Sequence, residues 1–211
     1  RILLGARVSF AVGFISVLIS LLIGIPMGAL AGFYGGWIDK VVMWFINVVW
    51  SIPTLLMVIA ITLALGKGFW QVFIAVGFTM WVEVARIVRG QVLGIREKEY
   101  VQAARVLGYG DRQIIFRHIL PNVLSTLVTF MPFVVISAIT SITALDFLGF
   151  GLPPPTPSLG ELLKQGTSTL RTAPWIVTSA FGTLIILLTV VTFIGEAVRE
   201  SFDPKKFTIY R

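Results

Sequence analysis

Long apolar runs dominate this chain, and a single long polar stretch interrupts them. A bilayer core is crossed by ~20 apolar residues in a helix rising ~1.5 Å per residue. Roughly residues 8–31, 41–65, 69–88, 123–145 and 175–195 are long and apolar enough to do so. None of them alternates with period two, as a barrel strand would. The pattern therefore predicts an all-α polytopic membrane protein with five transmembrane helices in this chain. A single membrane domain fills residues 1–211, with a coupling segment at 97–121 and an external loop at 146–174. Short links join the remaining spans: residues 32–40, the turn Gly66-Lys67-Gly68, and a charged tail from Glu196 with Asp203-Pro204 as a helix stop.

The polar interruption has its own internal order. Residues 97–107 are good helix formers, with Val101, Ala104 and Leu107 spaced by three to give a small apolar side. Gly108 ends that helix, because a left-handed cap suits glycine. Gly110 permits a second bend, and Asp111 is a good N-cap for a helix over 112–119. Pro121 suits the first turn of the next span, where its missing N–H is no loss. The expected shape is helix, sharp turn, helix, held at both ends by the bilayer.

Composition and charge add an orientation. Hydrophobic residues make up 56% of the chain and charged residues only 13%, about half the share of a soluble domain. There is no cysteine and one histidine, His118, which excludes disulfides and thiolate metal sites. Net charge is +7, and the basic residues are unevenly placed. With the polar segment on one side, alternation gives that side twelve Lys and Arg against five on the other. The excess assigns the segment to the cytoplasm and, in place of nucleic-acid binding, explains the positive charge. The chain starts at Arg1 without a methionine, and an upstream helix is expected to complete a set of six.

Polar residues within the spans fall on faces. Ser16, Ser20, Gly24, Gly28 and Gly32 recur every fourth position, a pattern for close helix packing. Pro26 is expected to kink the same helix. Asn47, Ser51, Thr54 and Thr62 share one face of the second span, which Pro53 interrupts; Thr126, Thr129, Phe133, Ser137 and Thr140 share one face of the fourth, beside Pro132. Asn47, Ser51, Thr54, Thr126, Thr129, Phe133, Ser137 and Thr140 are candidates to line a polar pathway. The other reading is that these hydroxyls bond carbonyls of their own helix or its neighbours. Ionisable residues in the spans are few; Glu83 and Arg86 lie near an inner end, three apart, where a helix pair can form.

The segment Gln102-Ala103-Ala104, then Gly108, then Leu120-Pro121 resembles the cytoplasmic Glu-Ala-Ala motif of ABC importer permeases, with the same spacing throughout. Gln102 stands where the motif has Glu, and His118 where it has Ile. Asp146-Phe147-Leu148-Gly149-Phe150-Gly151-Leu152-Pro153, then Pro157-Ser158-Leu159-Gly160, is similar to the external loop of the C-type permease of dipeptide, oligopeptide and nickel importers. Leu4-Gly5-Ala6-Arg7, Ser51-Ile52-Pro53 and Phe202-Asp203-Pro204 also fit that family. Pro153-Pro154-Pro155 and the stretch from Gly195 to Arg199 are similar to permeases for oligopeptides and peptide-like antibiotics.

The resemblance implies a multi-pass permease of a bacterial inner membrane. Gln102, Ala103, Ala104, Arg105, Gly108, Asp111, Leu120 and Pro121 would couple it to an ATPase. Its implied partners are two ATP-binding subunits, a second homologous permease, an extracytoplasmic substrate-binding protein and the lipid bilayer. No Gly-Lys-Ser/Thr phosphate loop is present, so ATP and Mg are expected on the partner subunits, and no cofactor, metal or catalytic set on this chain. The competing class is a self-contained ion-coupled carrier or channel, which calls for buried ionisable groups or a selectivity ring. A membrane enzyme calls for a nucleophile–base or metal set.

Overall fold

A computed structural model describes residues 1–66, 68–153 and 155–201, all of them in helices, turns and loops. The sequence features at Lys67, at Pro154 of the triple proline, and at Phe202-Asp203-Pro204 lie outside the described residues. The helices are α1 (Ile2–Tyr34), α2 (Gly36–Trp50), α3 (Thr54–Leu65), α4 (Phe69–Arg96), α5 (Glu99–Val106), α6 (Asp111–Ile114), α7 (Leu120–Leu148), α8 (Leu159–Ser168) and α9 (Trp175–Ser201). A π-helical turn, Ile115–Ile119, joins α6 to α7, so residues 111–148 run as one helical rod. Among the described residues, four helical runs are long and apolar enough to cross a bilayer: α1, α4, the rod ending in α7, and α9.

The second span departs from a simple bent helix. α2 and α3 meet at 89° across Ser51-Ile52-Pro53. Pro53 has no N–H to donate and disfavours helical geometry at the residue before it. With 15 and 12 residues, neither half alone reaches bilayer length. Counted as one broken span, the pair brings the total to five.

Contacts between ends fix the topology. Arg96 Nη1 donates to the carbonyls of Gly32, at 2.9 Å, and Phe33, at 3.3 Å, so α1 and α4 finish at the same level. Near the start of α1, a Cβ on Gly5 would come within 3.1 Å of the Ser158 backbone, which precedes α8. The corner at Gly35 and the polar segment thus share one end of the molecule. The loop carrying α8 occupies the other.

The core is the seam between α1 and α4. A Cβ on Gly24 would lie 2.7 Å from Val84 and 2.8 Å from the Trp81 carbonyl; one on Gly32 would lie 2.9 Å from the Arg89 carbonyl. The small-residue stripe seen in the sequence is therefore what lets the two backbones touch. Ser9, Ser16 and Ser20 are buried in α1 as well, and Ser16 donates to the Phe73 carbonyl at 3.4 Å. α9 is the opposite case. Only Ala180, Val191 and Gly195 are buried, while Phe181, Ile186 and Phe193 are more than half exposed, as a helix facing hydrocarbon requires.

Candidate functional site: the polar segment between α4 and α7

α4 carries its helix to Arg96, well past the apolar run, and so lifts the polar segment clear of the spans. After Lys98, α5 forms over Glu99–Val106. Its end is a Schellman motif: the Tyr109 N–H bonds the Ala104 carbonyl at 3.1 Å, and the Gly108 N–H bonds that of Arg105 at 3.0 Å. Gly108 has φ +79°, the left-handed conformation expected of it, and nothing lies within 4 Å of where its Cβ would be.

Val101 and Ala104 turn inward and are buried in the same cluster as Ile114, Ile115 and Ile119. Leu107 does not join them. The helix stops one residue earlier, and Leu107 points outward, 74% exposed, beside Val106 at 89%. Phe116 adds a third exposed apolar side chain on the next element. The segment thus has an apolar root in the core and an apolar tip outside it.

The second half differs from the expected separate helix. Gly110, not Asp111, is the N-cap, and no side chain caps the end. Asp111 is the first helical residue, where its carboxylate faces the positive end of the helix dipole. Pro121 is the second residue of α7, in its first turn as expected, and the π turn makes α7 continuous with α6 in the rod 111–148. A proline there removes one i→i−4 bond. The π turn just before it, where the Leu120 N–H bonds the Ile115 carbonyl, shifts the bonding by one residue ahead of the missing donor. His118 packs its ring 5.9 Å from that of Tyr109.

The motif residues are distributed as follows. Ala104 is buried at the root, and Gln102, Ala103, Arg105, Gly108 and Asp111 are exposed. Leu120 is half-buried and Pro121 exposed. Gln102 donates to the Arg96 carbonyl at 3.2 Å, tying α5 back to α4. Arg105 reaches back too, its guanidinium 5.4 Å from the centre of the Phe33 ring at the end of α1.

Sequence reasoning did not find how α4 holds this end together. Arg89 forms a two-pronged ion pair with Asp39 in the first turn of α2, its Nη2 2.6 Å from Oδ2. Arg96 caps α1 as described above. Arg86 reaches Asn47 and Trp50. The signal was present: Arg86, Arg89 and Arg96 fall on one face at ~100° per residue. Their partners, more than 35 residues away, left no local trace. Glu83 and Arg86 form no ion pair with each other, although their spacing allows one.

The pathway candidates remain on two separate faces. On the first, Asn47, Ser51 and Thr54 are all exposed around the α2–α3 break. Asn47 accepts from Arg86, while Ser51 bonds the Val48 carbonyl of its own helix at 2.7 Å. On α7, Phe133, Ser137 and Thr140 are exposed, and Thr126 and Thr129 half-exposed. Thr129 and Thr140 bond carbonyls one turn back at 3.3 and 2.9 Å.

At the end opposite the polar segment, α7 ends before Gly149, φ +86°, and Asp146 is buried behind it. Asp146 Oδ1 accepts from the Leu152 N–H at 2.7 Å and folds the loop back over the helix end. Ser158 accepts from the Glu161 N–H at 3.1 Å and so opens α8 inside what the sequence read as loop.

These features define a multi-pass α-helical membrane protein with a short helical element carried outside its spans. Residues 24–207 match the family described as binding-protein-dependent transport system inner membrane component, and the chain belongs to it. It is similar to the peptidoglycan transport system permease protein YejE of Agrobacterium fabrum, 44% identical over 98% of this chain and 54% of that protein. It is 45% identical to the inner membrane ABC transporter permease protein YejE of Escherichia coli, over 98% of this chain and 60% of that one. The oligopeptide transport system permease protein OppC of Bacillus subtilis is 36% identical over 97% and 67%. The chain thus spans little more than half the length of the first two relatives. Among solved structures, an inward-facing form of the MetNI methionine ABC transporter shares the fold, with TM-score 0.80 at 21% identity and 94% of both chains covered.

Proposed function

We propose that this chain is the core of the permease subunit of a bacterial ABC importer for peptides, worked through α5 by separate ATP-binding subunits. The observation that carries the reading is the exposed apolar tip at Val106, Leu107 and Gly108, closed by the Schellman bonds. Exposed apolar side chains beyond the membrane call for a protein partner. A tip whose root is packed into the core passes force to α4 and α7. The partners proposed are two ATP-binding subunits, a second homologous permease, and an extracytoplasmic binding protein that meets the outer loop carrying α8. ATP and Mg belong to the ATP-binding subunits, and this chain supplies no catalysis of its own. Closure of those subunits on ATP draws the two coupling elements together and switches the permease pair between states. Coupling of this kind exists only if the ATPase favours one permease state over the other.

Peptide cargo is supported by the relatives named for oligopeptide and peptidoglycan transport. Purification of the full-length protein from its own membranes tests the reading. The expected result is co-purification of an ATP-binding subunit, lost when Val106 and Leu107 are both changed to Asp. A chain that purifies alone and transports unaided would replace the reading with that of a self-contained carrier.

A further inference from the structure

We infer that Arg86, with Asn47 and Trp50 at the α2–α3 break, binds a carboxylate of the transported molecule on its way through the membrane. The inference rests on the permease reading above and adds to it a site and a ligand chemistry.

Three arginines share one face of the C-terminal half of α4, and two of them are satisfied. Arg89 has Asp39; Arg96 has the α1 carbonyls and Glu97. Arg86 has no carboxylate in ion-pair range among the described residues, and Glu83, one turn back, does not reach it. Its Nη2 donates to Asn47 Oδ1 at a long 3.4 Å. Its Nε is buried and has no hydrogen-bond partner among the described residues. Its guanidinium carbon lies 3.6 Å from the centre of the Trp50 ring, which fixes the plane of the fork without neutralising it. A guanidinium carries five N–H donors in a planar fork that matches a carboxylate. Here the fork is oriented, charged and short of an anion.

The position adds to the chemistry. Arg86 lies near the end of the apolar run of α4, before the helix carries on to Arg96. An ionisable side chain within an apolar span is rare and marks a functional site by default. Asn47 and Trp50 belong to the last turn of α2, immediately before the non-helical Ser51-Ile52-Pro53. Broken membrane helices are where transporters place polar ligands, because the unwound backbone is tolerated only beside a cavity or buried protein. Asn47, Trp50, Ser51 and Thr54 are all exposed around this break, so the fork has an open side. A peptide with a free C-terminus brings the missing anion.

The test uses the complete transporter with its binding protein in liposomes of zwitterionic lipid. Uptake is compared for a tripeptide with a free C-terminal acid and for its C-terminal amide. Wild type is expected to take up the acid at least about tenfold faster. Arg86→Gln is expected to lower acid uptake to the amide rate, and Arg86→Lys to fall between. Retention of the wild-type preference by Arg86→Gln overturns the inference, and so does an equal loss for both peptides. A wild-type transporter that moves neither peptide refutes the function proposed above, and the site is then decided by labelling. A thiol at Thr54→Cys is expected to react about tenfold faster with an anionic than with a cationic methanethiosulfonate of equal size, and Arg86→Gln to erase the difference. Equal rates with Arg86 in place overturn the inference. Loss of the difference on adding anionic lipid assigns the cation to lipid phosphate and overturns it as well.

Discussion

The α1–α4 seam and the tip of α5 both depend on glycine, for opposite reasons. Along the seam, Gly24, Gly28 and Gly32 sit in ordinary helix, and a Cβ there would run into the backbone or side chains of α4. At the tip, Gly108 has open space around it but a φ of +79°. The seam needs glycine's small size, and the tip needs its conformational freedom. The seam holds the molecule together, whereas the tip is the part we propose is presented to another protein. Substitutions should therefore fail in different ways at the two places.

The largest effect is expected at the seam. Gly28→Leu forces four carbons into a space where the Ala85 carbonyl and Val88 already press on a single Cβ position. Overpacking of this kind costs roughly 1–3 kcal/mol or more, and full-length protein should largely vanish from membranes on an immunoblot. Next comes Gly108→Val. A β-branched residue opposes a left-handed cap by about 1–2 kcal/mol, so α5 should end differently while the seam stays intact. Membrane protein should persist at wild-type level while peptide uptake is abolished. Gly108→Asn, which tolerates that conformation, should keep most of the uptake. Normal uptake by the valine variant would remove the tip from the coupling mechanism.

A smaller effect is expected from Leu107→Asp, which touches neither backbone. Losing one apolar anchor is worth ~1.5–3 kcal/mol, or roughly a 10- to 100-fold weaker association with the ATP-binding subunit, measurable by pull-down titration. The smallest belongs to Arg96→Gln. It removes the cap on α1 and should lower stability by about 1 kcal/mol, read as a fall of a few degrees in Tm in detergent.

The same contrast explains what was legible in the sequence. Spacing alone revealed the seam, because small residues every fourth position in an apolar helix have one main use. Gly108 was legible because a glycine after a helix-forming run marks a cap. The fate of Leu107 was not, since its three-residue spacing from Ala104 pointed inward while the cap ended the helix one residue too soon. Pro53 announced an interruption, but the 89° angle depends on what α2 and α3 pack against. Pro121 was legible as a first-turn proline of α7, but the π turn that joins α7 to α6 has no sequence signature. The α4 arginine face was written plainly, yet Asp39 and Asn47, the partners that give it meaning, are contacts of the fold and not of the sequence.

Crosslinking from position 107 tests directly whether the α5 tip is worked by another protein. A single Cys at Leu107, in a stretch of 211 residues with no other cysteine, would carry a short photoactivatable crosslinker in the assembled complex. The expected result is a strong crosslink to an ATP-binding subunit, accessible only from the cytoplasmic side and altered in yield by ATP. Labelling of that cysteine from outside the cell, or an absence of any protein crosslink in the intact complex, would contradict it.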